Sequence, residues 1–278
     1  MTITEAAPQQ PAAAVPAAET TPGAATAATD TTVVLVFGVH HHVGASVAAL
    51  AMAEAADELG LATLLIDAAP VPTSGLLMAC ATSGARVAPG SPVRACTRGG
   101  VQVRSLADTS RSARCPQFAD WTVECEVELI VVDLGVTAEE AHGGPQACPW
   151  LRLPPAGLVL VAPPTRPGLQ RVESLLSRWE RDPAALVHLG AATPKVVDTA
   201  GARTRQLLGQ AITMPHDPAV HALGVTPAAL PGALRAAGGQ ILHRATAASP
   251  HIHGRTRPPS TAPPRRHRFL PQKGPASP

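Results

Sequence analysis

The apolar positions of the chain form short continuous runs that alternate with amphipathic segments. Val33–Phe37 is an uninterrupted apolar run, which predicts a strand buried on both faces of a sheet. The next segment carries apolar residues at helical spacing, namely Ala48, Met52, Ala55 and Leu59. Its opposite side carries three acids, Glu54, Asp57 and Glu58. This spacing predicts an amphipathic helix that ends at Gly60.

The same alternation continues along the chain. Three further strands are predicted at Leu64–Asp67, Glu128–Asp133 and Ile212–Asp217. A strand, a turn and a helix are predicted over Ala156–Trp179, with Pro167 at the start of the helix. Between residues 68 and 120 the pattern weakens, and it predicts only a short helix near Ser74–Cys80 and a strand near Val101–Leu106. Alternating strands and helices predict an α/β fold, with a parallel sheet and helices on both faces.

The two ends of the chain differ in composition from its middle. Met1–Thr32 consists largely of Ala, Pro and Thr, so it cannot bury enough apolar surface to offset its ordering entropy. Ser249–Pro278 is rich in Pro and carries six basic residues and no acid, so the net charge of +2 hides a basic tail on a slightly acidic body. We therefore predict a disordered tail over 1–32, a folded domain over 33–245 and a disordered basic tail over 246–278. The basic tail could bind nucleic-acid phosphates non-specifically, or it could be solvated without a partner.

Composition narrows the class of protein. Hydrophobic residues make up 45% of the 278 residues, enough for one substantial core, but aromatics are only 2%. Lys195 and Lys273 are the only lysines among 22 basic residues, a bias typical of GC-rich bacterial genomes. Five cysteines without C-x-x-C spacing predict reduced thiols and a cytoplasmic location. The sequence shows no 18-residue apolar run, so no membrane insertion is expected.

The loop between the first strand and the first helix carries the most informative residues. They are Gly38, His40, His41, His42, Val43, Gly44, Ala45 and Ser46. A phosphate-binding loop wraps backbone N–H groups around phosphate at a helix N-terminus, while a Lys neutralises the outer phosphates and the next hydroxyl binds Mg²⁺. Here Ser46 supplies the hydroxyl, and Ala45 stands where the lysine belongs.

This loop resembles the deviant Walker A motif of the ParA/MinD group of partitioning and positioning ATPases, which reads K-G-G-x-G-K-[ST]. Gly44 and Ser46 match the motif. The signature Lys, the two loop glycines and the Walker Lys are replaced by His40, His41, His42 and Ala45. The order of the predicted strands is similar to that of the same family over residues 31–245. The resemblance therefore implies a P-loop NTPase-like α/β fold.

The resemblance also implies which residues would form a nucleotide site. The phosphate loop would be Gly38 and His40–Ser46, with His216 and Asp217 near the adenine and with Ser46, Asp67 and Asp133 as ligands of Mg²⁺. Two family lysines are missing, and phosphoryl transfer depends on such charges, so we expect ATPase activity to be lost and assign no catalytic residue. No cofactor is expected beyond weak binding of ATP and Mg²⁺. In the alternative, the two strand-end Asp residues only cap helices, and His216 and Asp217 only form a turn.

Several functions remain open at this point. The three histidines could bind Zn²⁺ or, when protonated, phosphate, although consecutive loop residues point in different directions, which favours histidines that share no ion. We hypothesise a pseudo-ATPase that acts as a binding or adaptor protein, with a partner such as an active ParA/MinD-like ATPase, in DNA partition, plasmid transfer or cell-pole organisation. The alternative is a nucleotide switch in which Arg166 or Arg203 replaces the missing charge. An amidotransferase or synthetase is a third class, for which the chain supplies no extra catalytic motif.

Overall fold

The computed structural model describes residues 31–82, 84–107, 118–122, 125–137, 150, 157–179, 182–190 and 193–256. Most of the two predicted tails, residues 1–30 and 257–278, lies outside these ranges, so their predicted disorder stays a prediction.

The described strands form one sheet of nine strands in the order β3-β4-β5-β2-β6-β1-β7-β8-β9. In chain order they are β1 Thr32–Gly38, β2 Thr63–Asp67, β3 Ala85–Arg86, β4 Val93–Arg98, β5 Val101–Leu106, β6 Leu129–Thr137, β7 Gly157–Val161, β8 Ala185–Leu189 and β9 Ile212–Met214. All neighbouring pairs from β5 to β9 are parallel. Only β4 runs antiparallel, to both β3 and β5, so the predicted parallel sheet is confirmed except at this edge.

Helices cover both faces of the sheet. They are α1 Ala45–Glu58, α2 Phe118–Thr122, α3 Arg166–Leu176, α4 Pro194–Val197, α5 Ala202–Leu208, α6 Pro218–Leu223, α7 Gly232–Ala245 and α8 Pro250–His253, with a 3₁₀ turn at Val71–Thr73. Thr165 begins α3 by accepting a hydrogen bond from the Gly168 N–H, and Pro167 follows in the first turn as predicted. The Phe37 ring of β1 packs edge-on against Trp179, just after α3, at 5.0 Å between centroids.

The first helix is more buried than its pattern suggested. Nine consecutive residues of α1, Ala48 to Ala56, are buried. Glu54, which the pattern placed on the solvent side, is 8% exposed and accepts a hydrogen bond from Arg98 Nε at 2.6 Å. The prediction was wrong here because α7 packs on the outer side of α1, which a local pattern cannot show. The paired Arg98 keeps the buried carboxylate of Glu54 compensated.

The segment after β2 also differs from its prediction. Turns replace the helix expected near Ser74–Cys80. The Ser74 hydroxyl donates to Asp67 Oδ2 at 2.5 Å and accepts from the Leu76 N–H at 3.0 Å. Because serine side chains that bond to nearby backbone favour turns over helix, this local bonding explains the difference.

The cysteines are not all reduced, contrary to the expectation from their spacing. A disulfide joins Cys80, in the turns after β2, to Cys96 of β4. Cys125 is free, and Cys115 and Cys148 lie outside the described residues. The pairing depends on β4 lying beside β5, so the sequence alone gave no sign of it.

The folded body extends beyond residue 245, where the sequence placed its end. Helix α8 lies in the predicted tail, and its Ile252 is fully buried. Arg255 Nη1 donates to Glu128 Oε1 at 2.6 Å, and its Nη2 donates to the carbonyl oxygen of Gly60 at 3.0 Å. The boundary was placed too early because one isolated Ile in a Pro-rich stretch gives no periodic signal. At the other end, β1 already begins at Thr32.

None of the described helices is both long and apolar enough to cross a membrane.

Candidate functional site

A cleft of about 340 Å³ lies at the carboxyl ends of the central strands. Strand β1 lies between β6 and β7. The chain first builds the sheet on the β6 side of β1 and later continues on the β7 side, so the cleft lies where the strand order reverses. Ligands of open α/β sheets bind at such a switch point. Of the residues predicted from the sequence, the cleft is lined by Gly38, His40, His41, His42, Val43, Gly44, Ala45, Ser46, Asp133, His216 and Asp217. Asp67 is the one member of that set that does not line it.

Two residues of the loop have left-handed backbone conformations. His42 has a φ of 63°, and it is the one non-glycine residue with positive φ among those described. Histidine tolerates this left-handed region better than most residues, although a glycine would enter it without strain. Gly44 follows at a φ of 88° as the N-cap of α1, and no side chain caps the helix there. The first N–H groups of α1 are therefore without side-chain partners at the cleft.

Gly44 and Ser46 are each contacted by a residue from a distant part of the chain. A Cβ placed on Gly44 would lie 2.6 Å from Leu189 Cδ1, so the end of β8 packs directly on the loop. A Cβ on Gly75 would lie 2.5 Å from Ser46 Oγ, so the turns after β2 lie against the same loop. Neither contact left a signal in the sequence, because each depends on the order of the strands.

No arginine or lysine is found among the described residues that line the cleft. Ala45, at the first position of α1, contributes a methyl group where the resembled motif has its lysine. Arg203 is engaged elsewhere, since its Nε donates to Asp182 Oδ1 at 2.8 Å and its Nη1 to the carbonyl oxygen of Leu176. Arg166 is exposed in the first turn of α3 and does not line the cleft. The two arginines considered as replacements therefore do not supply charge to the loop.

Asp133 is the most deeply buried charged group of the cleft. It is 0% exposed, its Oδ1 accepts from the Gly135 N–H at 3.2 Å, and its Oδ2 has no hydrogen-bond partner in the described structure. Burial raises the pKa of Asp133, and the Ser46 hydroxyl and the Gly135 N–H offset that shift only in part. A buried, unpartnered carboxylate oxygen beside a serine hydroxyl is a fitting pair of oxygen ligands for Mg²⁺.

Asp67 lies opposite Asp133 on the neighbouring strand, where the two Cα atoms are register partners. Burial raises the pKa of Asp67 to about 7, and the charge of Asp133 adds to the shift, while hydrogen bonds from Ser74 and Ala69 oppose it. Its two oxygens bind the Ser74 hydroxyl and the Ala69 N–H, so they face the turns after β2 and not the cleft. The structure thus brings Ser46 and Asp133 together and assigns Asp67 to the support of a loop.

The opposite wall of the cleft comes from the segment between β9 and α6. Asp217 is the N-cap of α6, and its Oδ1 accepts from the Ala219 and Val220 N–H groups, both at 2.9 Å. The His216 ring lies 5.1 Å from the His221 ring, measured between centroids. His221 was not predicted from the sequence, although it lies one helical turn after Asp217 and therefore on the same side of α6 as that cap.

The cleft residues fit the metal ion of a Mg–nucleotide complex better than they fit its phosphates. Ser46 and Asp133 fit the metal, although the described residues hold no cluster of three His, Cys, Asp or Glu side chains suited to a metal ion. The triphosphate would meet free helix N–H groups but no fixed positive charge among the described lining residues. The predicted zinc alternative finds no support either, because His40 Nδ1 donates to the His41 carbonyl oxygen at 2.6 Å, while the His41 and His42 rings are 6.3 Å apart.

No protein-family model and no curated protein matches the sequence. Solved structures with similar folds do exist. McdA from Cyanothece, solved as an ATP complex, superposes with a TM-score of 0.50 at 10% identity, over 77% of this chain and 96% of that chain. The cell division ATPase MinD from Pyrococcus furiosus gives 0.49 at 12% identity, over 76% and 98%. A ParA family ATPase from Chlorobium tepidum gives 0.45 at 16% identity, over 81% and 98%.

The superposition on McdA, at a TM-score of 0.50, shows that the chain has a ParA/MinD-like fold, that of a P-loop NTPase-like α/β domain, as the loop and the order of the strands predicted. At these identities the similarity establishes the fold alone, and function has to be argued from the cleft.

Proposed function

We propose that this protein is a pseudo-ATPase, which keeps the nucleotide cleft of its fold but acts by binding and not by turnover. The observation that carries the proposal is the absence of any arginine or lysine among the described residues that line the cleft, together with Ala45 at the lysine position. Phosphoryl transfer is accelerated mainly by positioning and by charges that stabilise the transferred group. Without those charges, Ser46 and Asp133 can hold a cation but cannot stabilise the transferring phosphate.

A protein of this kind needs a partner through which to act. We infer an adaptor role beside another protein, such as an active ParA/MinD-like ATPase, in DNA partition, plasmid transfer or cell-pole organisation. The basic residues after 256 would add non-specific attraction to nucleic acid, as their charge predicts. A cytoplasmic location belongs to the same proposal, and the Cys80–Cys96 disulfide is the observation that speaks against it.

The second candidate is a nucleotide switch that uses a displaced arginine. Its support is the preserved loop, with positive φ at His42 and Gly44 and unpaired helix N–H groups. Its weakness is that Arg203 is bonded elsewhere and that Arg166 does not line the cleft. The pseudo-ATPase therefore agrees better with the described residues.

Calorimetric titration of the full chain with Mg–ATP tests the proposal. At about pH 8, where ordinary histidines are neutral, we expect a Kd weaker than roughly 100 μM, or about −5.5 kcal/mol. Ala45→Lys should bind at least about tenfold more tightly, because one charge-assisted hydrogen bond contributes about 1.5–3 kcal/mol. Ala45→Met is the matched control, since it adds similar length without charge. Low-micromolar binding by the unsubstituted protein would refute the proposal and favour the switch.

A further inference from the structure

Histidines gather on the cleft from two separate parts of the chain. The chain has 11 histidines, and the cleft is lined by His40, His41, His42, His216 and His221. The first three belong to the loop before α1, and the other two lie on the opposite wall, around the start of α6. His42, His216 and His221 are exposed, so their side chains are accessible to solvent at the cleft. A cleft without lysine or arginine in its described lining is thus rich in side chains that become cations on protonation.

Few acids of the described lining compete for these imidazoles. Among the described residues, the acids that line the cleft are Asp133 and Asp217. Asp217 Oδ1 is occupied as the N-cap of α6, and burial disfavours the charged form of Asp133. These two groups leave the histidines as the main source of variable charge on the cleft surface.

The described elements packed around the cleft add little further charge. From β2, Asp67 is bonded to Ser74 beneath the turns, and from β8, His188 Nδ1 donates to the Gly190 carbonyl oxygen at 2.6 Å. From α7 only Leu234 lines the cleft, and the neighbouring Arg235 pairs with Glu58. None of these groups supplies a charge to a ligand between the two histidine walls.

The loop adds donors that suit an anion. Helix α1 has 14 residues and starts at the cleft without a side-chain cap, so its first N–H groups point their partial positive charge toward this end. A helix start alone would not define a site, but here it faces a wall with two further histidines. Backbone donors and protonatable rings together match the oxygens of a phosphate group.

We propose that the cleft binds a phosphate-bearing anion when its histidines are protonated, so that protons supply the charge that a fixed lysine supplies in a P-loop. This inference rests on the proposed function, because it assumes that the cleft has no permanent cation. It goes further by naming the ligand chemistry and by making binding dependent on pH. Histidine side chains in general gain a proton between pH 8 and pH 5.5. Binding should therefore strengthen over that interval.

Calorimetric titration of the full chain with sulfate, in the absence of Mg²⁺, tests the inference. Sulfate is the appropriate probe because its charge stays constant across this range, whereas phosphate itself titrates. We expect sulfate to bind at least about tenfold more tightly at pH 5.5 than at pH 8, as required if one or more bound histidines must be protonated. The double variant His216→Gln, His221→Gln should lose part of this pH dependence, because the three loop histidines remain. His253→Gln is the control, because His253 lies on α8 and does not line the cleft.

A variant with a permanent positive charge provides a second, independent test. His221→Arg should bind sulfate at pH 8 almost as well as the unsubstituted protein does at pH 5.5. If the double variant fails to show a cooperative thermal transition, the measurement on His221→Arg still tests the inference. Sulfate affinity that is equal at both pH values, absent at both, or unaffected by all these substitutions would overturn the inference.

The results separate this inference from the proposed function. Flat sulfate binding would refute the proton dependence and leave the pseudo-ATPase untouched, whereas ATP turnover at pH 8 would refute the pseudo-ATPase without changing the sulfate result. Titration with ADP and with pyrophosphate at pH 5.5 then identifies the source of the anion. Tighter binding of ADP assigns a nucleoside phosphate, and equal or tighter binding of pyrophosphate assigns an inorganic one.

Discussion

Asp67 links the buried side of the candidate site to the stability of the fold. It is 1% exposed, and its pKa rises from the ordinary value of 3.8 to about 7, chiefly through burial and then through the charge of Asp133. Below about pH 4 the carboxyl group is neutral in both the folded and the unfolded state. As pH rises from there to about 7, the unfolded state loses this proton while the folded state keeps it. The folded state is therefore progressively destabilised across this window.

The variant Asp67→Asn removes this dependence. Relative to the unsubstituted protein, its free energy of unfolding should increase between about pH 4 and pH 7, by as much as about 4 kcal/mol for a shift of about three units. The Asn amide can still bond to Ser74 and Ala69, so the turns after β2 should persist. Urea unfolding at several pH values measures the difference. A difference that does not change with pH would show that Asp67 is charged in the folded state at neutral pH.

At the scale of single residues, the sequence predicted the residues of the loop itself but not the residues that contact the loop. The sequence predicted a loop between the first strand and the first helix, and the structure has that loop at the cleft. The interpretation of Ala45 as a replaced lysine stays a hypothesis. The contacts of Leu189 and Gly75 with that loop come from residues more than 25 positions away, so no local pattern contains them. Asp217 caps a helix, a role that the sequence had suggested for Asp67 and Asp133, whereas for Asp217 it had suggested, besides the nucleotide site, only a turn.

One of two adjacent glycines, Gly238, allows the two longest described helices to pack closely. Gly238 of α7 lies directly on the backbone of α1, since a Cβ there would be 2.2 Å from the Ala51 carbonyl oxygen. A Cβ on the next residue, Gly239, would have only the Ala55 Cβ as a neighbour, at an ordinary 3.9 Å. The small residues of both helices allow this approach, which explains how an alanine-rich, aromatic-poor chain still builds a close-packed core.

This contact predicts opposite effects for the same substitution at neighbouring positions. Gly238→Ala should destabilise the protein by about 2 kcal/mol or more, because the two helix backbones must separate. Gly239→Ala should be neutral or stabilising by up to about 1 kcal/mol, because alanine favours helix and the space is open. Chemical denaturation of both variants measures the difference. Equal effects would mean that α7 does not pack on α1 through Gly238.

Two elements beside the loop were predicted with nearly correct bounds, whereas the apolar strand β8 and the arginine-containing strand β4 were not predicted. The run Val33–Phe37 became β1, and the helix after it ends beside Gly60, which has a φ of 68°. The strand at Val101–Leu106 was also correct. Strand β4 was missed because Val93–Arg98 is interrupted by arginines and a threonine, and it becomes a strand only by pairing with β5.

At the scale of the whole molecule, the C-terminal region divides into a packed part and a basic part. Ile252 and Arg255 attach residues up to 256 to the body, while four arginines and one lysine follow outside the described residues. Deletion of residues 257–278 should leave the thermal transition almost unchanged, because the composition of this segment predicts disorder, and a disordered segment buries no surface. Deletion of residues 249–278 should lower the melting temperature by several degrees, since it also exposes the site of a fully buried Ile.

Thermal melts of the two truncated proteins beside the full chain test this division. Identical melting temperatures for the two truncated proteins would contradict the packing of α8 on the body. The same proteins test the nucleic-acid proposal, since loss of residues 257–278 should abolish salt-dependent DNA binding. DNA affinity that survives in both would place the binding surface on the folded domain.

The central claim, that this ParA/MinD-like fold has lost ATPase activity, is tested most directly by measuring phosphate release from Mg–ATP by the full chain at about pH 8, where ordinary histidines are neutral. Asp133→Ala is the matched control, because it removes the buried carboxylate best placed to bind Mg²⁺. The account predicts no release above the background of that variant, with or without Mg²⁺. Turnover that requires Mg²⁺ and disappears in Asp133→Ala would contradict it.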